Sequence, residues 1–323
     1  MDEKVTGIKN IQIAATTRYP IVSAYEFEFL KTEEVVQRII EGCTIYFILQ
    51  RPLMMFNNVV PNGLQIQFDI VDTVNPPLHC MLDLEECKLF KPGESCDIEF
   101  QFYKKIRDEM PPLNDVAAFK AQKLDGTFVV WETPQKLLYE ALVNGLPLHC
   151  EGDVEPYLTY TVHYIGKAFS QSVWDRLTGH EKMQKILTLE PTFATANPNN
   201  RAPFEIALLM LDIEGVTEAN VFSVFDFAVP AGVKPIEHPL DTEAEIKDYL
   251  TCKINLKSPE LTSEVEAKLI HLFKPDYNEK KFDSYPNIQK GTRSLGYTSA
   301  ELIIGKLPAI LKTATHTQGI IAS

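Results

Sequence analysis

The sequence predicts an α+β protein with a β-rich N-terminal domain, residues 1–126, and a mixed C-terminal domain, residues 127–323. With 45% hydrophobic and 23% charged residues, the chain has enough apolar side chains for a folded core. Its 323 residues suit two domains, at roughly 100 to 200 residues each. Alternating strand patterns dominate the first third, whereas clear helix boundaries come later.

Strands joined by polar turns are expected over the first 105 residues. Residues 45–49 form an apolar run, and residues 64–70 and 98–102 alternate between apolar and polar side chains. One short helix is expected near residues 34–41. Residues 106–126, with mixed charges and a Met-Pro-Pro segment, are expected to be a linker.

Helices and strands are both expected in the C-terminal domain. One helix has Thr133 as its N-cap, Pro134 in its first turn and Gly145 just past its end; another begins at Ser258-Pro259 and ends before Pro275. The other predicted elements are strands at 127–131, 157–165, 204–213 and 221–227 and helices at 171–187 and 243–250.

Charge and cysteine usage limit the function classes. The 31 Lys and Arg residues against 44 Asp and Glu give a net charge of −13, which argues against indiscriminate coating of nucleic acid, because that affinity comes from neutralised phosphates. The chain has no stretch of the ~20 apolar residues that a bilayer requires and no signal peptide pattern, so we expect a cytoplasmic protein with no membrane partner. Six cysteines without CxxC spacing are typical of reduced thiols.

The tetrapeptide Pro-Leu-His-Cys occurs twice, at residues 77–80 and 147–150. Two His-Cys pairs could supply four zinc ligands. Adjacent residues of a strand point to opposite faces, however, and cannot readily share one ion. We therefore interpret both pairs as strand residues and consider zinc unlikely.

The residues that can carry chemistry lie in two segments. The first contains Tyr160, the run Tyr-Ile-Gly-Lys at 164–167 and Arg-Leu-x-x-His at 176–180; the second contains Glu-x-x-Leu-Ile at 266–270 and Pro-x-Tyr-Asn at 275–278. In this order and spacing they resemble the GIY-YIG nuclease superfamily. The resemblance covers about 120 residues of the C-terminal half, which would then be a nuclease domain with an insertion at about 191–257. The candidate site residues are Tyr160, Tyr164, Lys167, Arg176, His180, Glu266 and Asn278.

The resemblance implies a small antiparallel sheet flanked by helices and a Mg²⁺-dependent or Mn²⁺-dependent hydrolysis of phosphodiester bonds. Tyr160 and Tyr164 would be the two motif tyrosines, with Tyr160 as general base. Lys167 and Arg176 could favour its phenolate, and Arg176 would also clamp a phosphate.

Three further roles complete the predicted site. Glu266 would be the metal ligand, His180 is an alternative general base, and Asn278 would order its loop or polarise a water molecule.

Residue spacing supports part of this interpretation independently. Arg176 and His180 are four residues apart, so they share one face of the predicted helix. Glu266 is expected to face inward with Ile270, whereas Glu264 is expected on the solvated face. An inward carboxylate must be paired or bound to a metal, and Mg²⁺ needs only one or two carboxylates.

Two alternatives remain open. Tyr160 and Tyr164, four residues apart on a predicted strand, could be core aromatics on one face, and Leu158-Thr159 stands where the family has Gly-Ile. The chain could then be a catalytically inactive interaction or nucleic-acid-binding protein. The N-terminal domain could mediate recognition, a homodimer or contact with a regulatory partner.

A local basic bias is consistent with a nucleic acid partner. Residues 253–312 contain ten Lys or Arg and seven Asp or Glu, whereas the rest of the chain is strongly acidic. DNA is the expected substrate rather than RNA, and a restriction or phage-defence role would suit a nuclease joined to a recognition domain.

Overall fold

The protein has a mixed α+β fold that is rich in strands and contains few helices, as its computed structural model shows. The structure describes residues 10–30, 32–72, 74–103, 110–168, 182, 185–186, 193–194, 202–218, 242–244, 258–282, 288–292, 299–305 and 307–320. In these ranges no helix is long and apolar enough to cross a bilayer.

The strands are β1 (Asn10–Thr17), β2 (Val22–Ser23), β3 (Ile45–Pro52), β4 (Met55–Asn62), β5 (Gln65–Val71), β6 (Leu78–Asp83), β7 (Cys96–Phe102), β8 (Val116–Lys123), β9 (Phe128–Glu132), β10 (Leu148–Glu151), β11 (Thr159–Lys167), β12 (Phe193–Ala194), β13 (Ala202–Glu218), β14 (Ser299–Gly305), β15 (Ala309–Lys312) and β16 (Thr317–Ile320). The helices are α1 (Ala24–Leu30), α2 (Glu34–Ile40), α3 (Pro134–Asn144) and α4 (Pro259–Phe273), and a 3₁₀ turn, Glu155–Leu158, precedes β11.

Two sheets organise these strands. Sheet A has the order β14-β1-β13-β3-β11-β15-β16, with β2 and β12 paired to β13. Sheet B has the order β10-β6-β5-β4-β8-β7, with β9 paired to β8. Sheet A is mixed, because β14 runs parallel to β1 and β15 runs parallel to β11, so it is larger and less regular than the small antiparallel sheet that we predicted.

Sheet B is formed entirely by the segment between β3 and β11. The strand before this segment, β3, and the strand after it, β11, are antiparallel neighbours in sheet A. The predicted boundary at residue 126 therefore falls inside sheet B, between the paired strands β8 and β9. The predicted linker at 106–126 is wrong where β8 lies, because β8 is a largely buried strand between β4 and β7.

Most of the other predicted elements in the described ranges are present. The alternating patterns form β5 and β7, the apolar run forms β3, and α2, β9 and β11 lie where they were expected. The helix boundaries are also confirmed, since Thr133 accepts a hydrogen bond from Lys136 N at 3.2 Å and Ser258 accepts one from Leu261 N at 3.0 Å. The predicted helix at 171–187, the strand at 221–227 and most of the helix at 243–250 lie outside the described residues.

Both faces of sheet A are buried. One face packs against α4, whose Val265, Leu269 and Phe273 join the odd-numbered residues of β3 in one core. The other face packs against α1 and α2 and includes Tyr46 and Ile48 of β3. Side chains of β3 therefore alternate between two cores, which is why this strand is a continuous apolar run.

Candidate functional site

A β-bulge in β11 determines which face each predicted site residue occupies. Val162 lies opposite Leu49 and Tyr164 lies opposite Ile48, so His163 is an extra residue in the strand. Tyr160, Val162 and Ile165 belong to the core under α4, whereas Tyr164 packs against the core on the other face. The expectation that Tyr160 and Tyr164 share a face is therefore wrong.

Tyr160 lies in the interior, with only 1% of its surface exposed. Its hydroxyl accepts a hydrogen bond from Arg51 Nη1 at 2.9 Å, and the same guanidinium lies 5.1 Å from the centre of its ring. Burial raises the pKa of Tyr160 to about 12, although Arg51 partly opposes this shift. Tyr160 and Lys167 are seven residues apart on β11, about 23 Å along the strand, so Tyr160 is not placed to act as the general base beside Lys167 and Glu266.

The sequence interpretation missed a buried ion pair beside Tyr160. Arg51 of β3 donates to Glu205 Oε1 of β13 at 2.9 Å, and both side chains are less than a tenth exposed. Arg51 also donates to the carbonyl oxygen of Tyr157 at 3.5 Å. Such a pair fixes the strands but makes the interior sensitive to the loss of either partner.

Tyr164 and Tyr46 lie beside Gly166 on the face opposite α4. The two rings are 6.1 Å apart between centres, and Tyr46 lies opposite Gly166 in the register of β3 and β11. A Cβ atom at position 166 would lie 2.6 Å from Tyr46 Cζ and Oη and 2.7 Å from Tyr164 Cε1. Only glycine fits here without displacing the rings, because these distances are well below van der Waals contact.

Tyr46 is the residue that the sequence interpretation missed. It is fully buried and lies on the strand directly antiparallel to the Tyr-Ile-Gly strand. The local signal was the segment Thr44-Ile45-Tyr46, which matches Gly-Ile-Tyr at two of three positions. More than a hundred residues separate it from Tyr164, so no short-range spacing links the two.

Lys167 and Glu266, two of the predicted site residues, form an ion pair. Lys167 Nζ lies 3.0 Å from Glu266 Oε2 and donates to Ser263 Oγ at 2.8 Å. The side chains of Lys167 and Glu266 are 41% and 17% exposed, so solvent reaches the pair. This ion pair links the end of β11 to the first half of α4.

The expectation that Glu264 lies on the solvated face of α4 is wrong. Glu264 is only 1% exposed, and its carboxylate accepts hydrogen bonds from the backbone N–H and the hydroxyl of Thr292. The Glu264 carboxylate therefore anchors Thr292 to α4, and Glu266, at 17% exposure, is the more accessible of the two carboxylates.

Asn278 hydrogen-bonds the backbone of β11 on the edge that β15 leaves uncovered. Its side chain accepts from Ile165 N at 3.0 Å and donates to Ile165 O at 2.8 Å, and Tyr277 N donates to His163 O at 3.2 Å. β15 covers only residues 159–161 of this edge. The buried amide thus replaces one residue of a neighbouring strand, which agrees with a role in ordering the loop.

The predicted residues therefore form two groups at the end of β11. Lys167 and Glu266 meet on the α4 side, with Asn278 next to them on the strand edge, whereas Tyr164 joins Tyr46 on the other face. Tyr160 belongs to neither group. Arg176 and His180 lie outside the described residues.

The two Pro-Leu-His-Cys motifs meet on β6 and β10. His79 Nδ1 lies 2.7 Å from Asp69 Oδ1 and His149 Nε2 lies 2.9 Å from Glu86 Oε2, while the two thiols face each other. Within the described residues, no group of three or more His, Cys, Asp or Glu side chains is placed to hold one metal ion. The histidines thus have carboxylate partners of their own.

Comparisons with protein-family models, with curated proteins and with solved structures found no match. The functional assignment therefore depends on the residues of this chain and on their arrangement.

Proposed function

We propose that the protein is a Mg²⁺-dependent endonuclease with a GIY-YIG-like site, acting on DNA rather than RNA. The observation that carries the proposal is the arrangement around Gly166. Tyr46 and Tyr164 lie beside the glycine on one face of β11, and the next residue, Lys167, pairs with Glu266 of α4. This arrangement reproduces the order of a tyrosine strand followed by a Tyr-Ile-Gly strand, with the two strands paired antiparallel.

In this proposal Tyr46 replaces Tyr160 as the first motif tyrosine. Sheet B is then an insertion between the two motif strands, which explains why the Gly-Ile pattern is missing immediately before Tyr160. The insertion that was expected at about 191–257 contains the whole of β13, which pairs with β3. Sheet B is the candidate recognition element, and a restriction or phage-defence role in the cytoplasm fits this division.

Glu266 is suited to hold a magnesium ion. Its carboxylate is solvent-accessible, and a single carboxylate suffices for Mg²⁺, which keeps several waters and takes phosphate oxygens. When bound, the ion would polarise the scissile phosphate. Manganese would be accepted by the same oxygen ligand.

The ammonium of Lys167 has one suitable role in this proposal. It lies on the α4 side of β11, opposite the ring of Tyr46, and it can bind a phosphate once a metal replaces it on Glu266. Arg176 as phosphate clamp and His180 as alternative base complete the proposed site.

Cleavage assays with purified protein test the proposal. Supercoiled plasmid, linear duplex, single-stranded DNA and RNA are incubated with Mg²⁺, Mn²⁺ or EDTA, using wild type, Glu266→Gln and Lys167→Ala. The control is Glu279→Gln, which removes a carboxylate from a fully exposed position just beyond α4. We expect metal-dependent DNA cleavage that is lost in Glu266→Gln and kept in Glu279→Gln.

One observation favours a second function, nucleic acid binding without cleavage. Glu266 already has a cation partner in Lys167, and Tyr46 is fully buried, so in this conformation solvent reaches the ion pair and not the first tyrosine. Folded wild-type protein that binds DNA but cuts no substrate with either metal would support this function. Cleavage that persists unchanged in Glu266→Gln would refute the proposed site.

A further inference from the structure

Cys80 and Cys150 face each other across two neighbouring strands. They are direct partners in the antiparallel register of β6 and β10, and their Sγ atoms are 3.0 Å apart. Directly opposed residues of antiparallel strands have Cα atoms about 4.5 to 5.5 Å apart, and a disulfide spans about 4.4 to 6.8 Å between Cα atoms. The backbone is therefore already at the separation that a disulfide needs.

We propose that Cys80 and Cys150 form an oxidisable dithiol site that reacts with peroxides and closes to a reversible intramolecular disulfide. The site lies in sheet B, away from Lys167 and Glu266, so this inference is independent of the proposed nuclease function.

The surroundings give the two sulfurs different roles. Cys150 lies on β10, the edge strand of sheet B, and is partly exposed, whereas Cys80 is only 6% exposed on the inner strand β6. A hydrogen bond from Cys80 lowers the pKa of the Cys150 thiol, and His79 lowers it further. Cys150 is thus the accessible nucleophile and Cys80 the buried thiol that resolves it.

The reaction balances with hydrogen peroxide as oxidant. The Cys150 thiolate attacks one peroxide oxygen, the O–O bond breaks, and hydroxide leaves as water after taking a proton, which gives a sulfenic acid on Cys150. The sulfur of Cys80 then attacks the Cys150 sulfur, the S–O bond breaks, and a second water leaves with the Cys80 proton. Two thiols are oxidised and one peroxide is reduced to two waters.

The other described cysteines lack this arrangement. The thiol of Cys87 donates to the carbonyl of Pro147, that of Cys96 donates to the carbonyl of Gly63, and Cys43 is buried at 2% exposure. Cys96 lies in the same sheet and is partly exposed, so it is a matched control. A disulfide that forms only on oxidation also agrees with the expectation of reduced thiols at rest.

Thiol mapping tests the inference. Reduced protein is treated with hydrogen peroxide, free thiols are blocked with a maleimide, and peptides are analysed by mass spectrometry before and after reduction. We expect a linked pair of peptides containing Cys80 and Cys150, loss of two hydrogens from the intact mass, and recovery of both thiols with dithiothreitol. Cys96 should stay available to the maleimide throughout.

Substitutions separate the two sulfurs. In Cys80→Ser we expect Cys150 to stop at the sulfenic acid, which a dimedone probe traps, while Cys96→Ser keeps the wild-type disulfide. The inference is refuted if wild-type Cys80 and Cys150 both remain alkylatable after peroxide, or if Cys150 reacts no faster than Cys96. Far-UV circular dichroism of each variant identifies any that fails to fold, and the wild-type mapping alone is then decisive.

Discussion

Gly166→Ala tests the packing on which the proposed site depends. The added methyl group would lie 2.6 Å from Tyr46 Cζ and Oη and 2.7 Å from Tyr164 Cε1. Relief requires a displacement of about 1 Å by rings packed against each other, because carbon atoms pack best at about 3.5 to 4.0 Å. Tyr46 is fully buried and cannot swing into solvent.

Two opposing effects determine how much Gly166→Ala changes the free energy of unfolding. Overpacking a core costs about 1 to 3 kcal/mol, whereas replacing glycine by alanine restricts the unfolded chain and stabilises by about 0.4 to 1 kcal/mol where the backbone permits it. We therefore expect a net loss of about 1 to 2 kcal/mol. Gly305→Ala is the control, since its nearest neighbour atom would be an ordinary 3.8 Å away.

A double-mutant cycle identifies the ring responsible. Urea unfolding followed by circular dichroism is measured for Gly166→Ala in the wild-type, Tyr46→Phe and Tyr46→Leu backgrounds. Phenylalanine keeps Cζ, so the loss should persist, whereas leucine removes both clashing atoms of residue 46 and should reduce the loss by at least about 1 kcal/mol. Additive effects in the Tyr46→Leu background, or a Gly166→Ala effect no larger than that of Gly305→Ala, would refute the packing.

Three further predictions concern buried polar groups. Burial raises the pKa of Glu132 to about 7 despite Lys136, so between about pH 4.5 and 7 the folded state holds a proton that the unfolded chain releases. The free energy of unfolding should therefore fall by up to about 3 kcal/mol as the pH rises through this window. Urea unfolding at several pH values should show a weaker pH dependence of this free energy for Glu132→Gln. Arg51→Met leaves Glu205 buried without its cation and should cost about 3 to 5 kcal/mol, much of which the double variant with Glu205→Leu should restore in the same urea assay. Asn278→Ala leaves the N–H and C=O of Ile165 without their hydrogen-bond partner, and each of these two groups should cost at most about 1 to 3 kcal/mol of stability. Unchanged hydrogen exchange at Ile165 would count against the role of Asn278 at the edge of β11.

Local structure could be predicted from the sequence where neighbouring residues determine it. Thr133 and Gly145 mark the ends of α3 because capping involves groups within one turn, and the alternation of residues 64–70 marks a half-buried strand. The segment of β8 was interpreted as part of a linker because residues 106–126 contain a Met-Pro-Pro segment and mixed charges. Its strand conformation depends on β4, β7 and β9, which no local pattern indicates.

The site was only partly predictable, and for related reasons. Lys167, Glu266 and Asn278 were predicted to lie together because each belongs to a short motif, and the structure places all three at the end of β11. Tyr46 was missed because it pairs with β11 across the whole of sheet B. Tyr160 was misplaced because the bulge at His163 reverses the alternation of the strand, and a bulge depends on the partner strand.

Glu264 illustrates a further limit of helical periodicity. Its position matched a solvated face, yet Thr292, far along the chain, supplies the hydrogen bonds that allow its carboxylate to be buried. Periodicity describes one helix and contains no information about such a distant partner.

The placement of β3 has a consequence for synthesis of the chain. Both neighbours of β3 in sheet A, β11 and β13, emerge from the ribosome after all of sheet B. Sheet B is formed by one continuous segment and can fold before the rest of the chain is synthesised. The apolar strand β3 has both edges unpaired during that time. A fragment ending near residue 126 or before β13 would keep that strand exposed and would be prone to aggregation, because at least one edge of β3 stays unpaired until β13 is made.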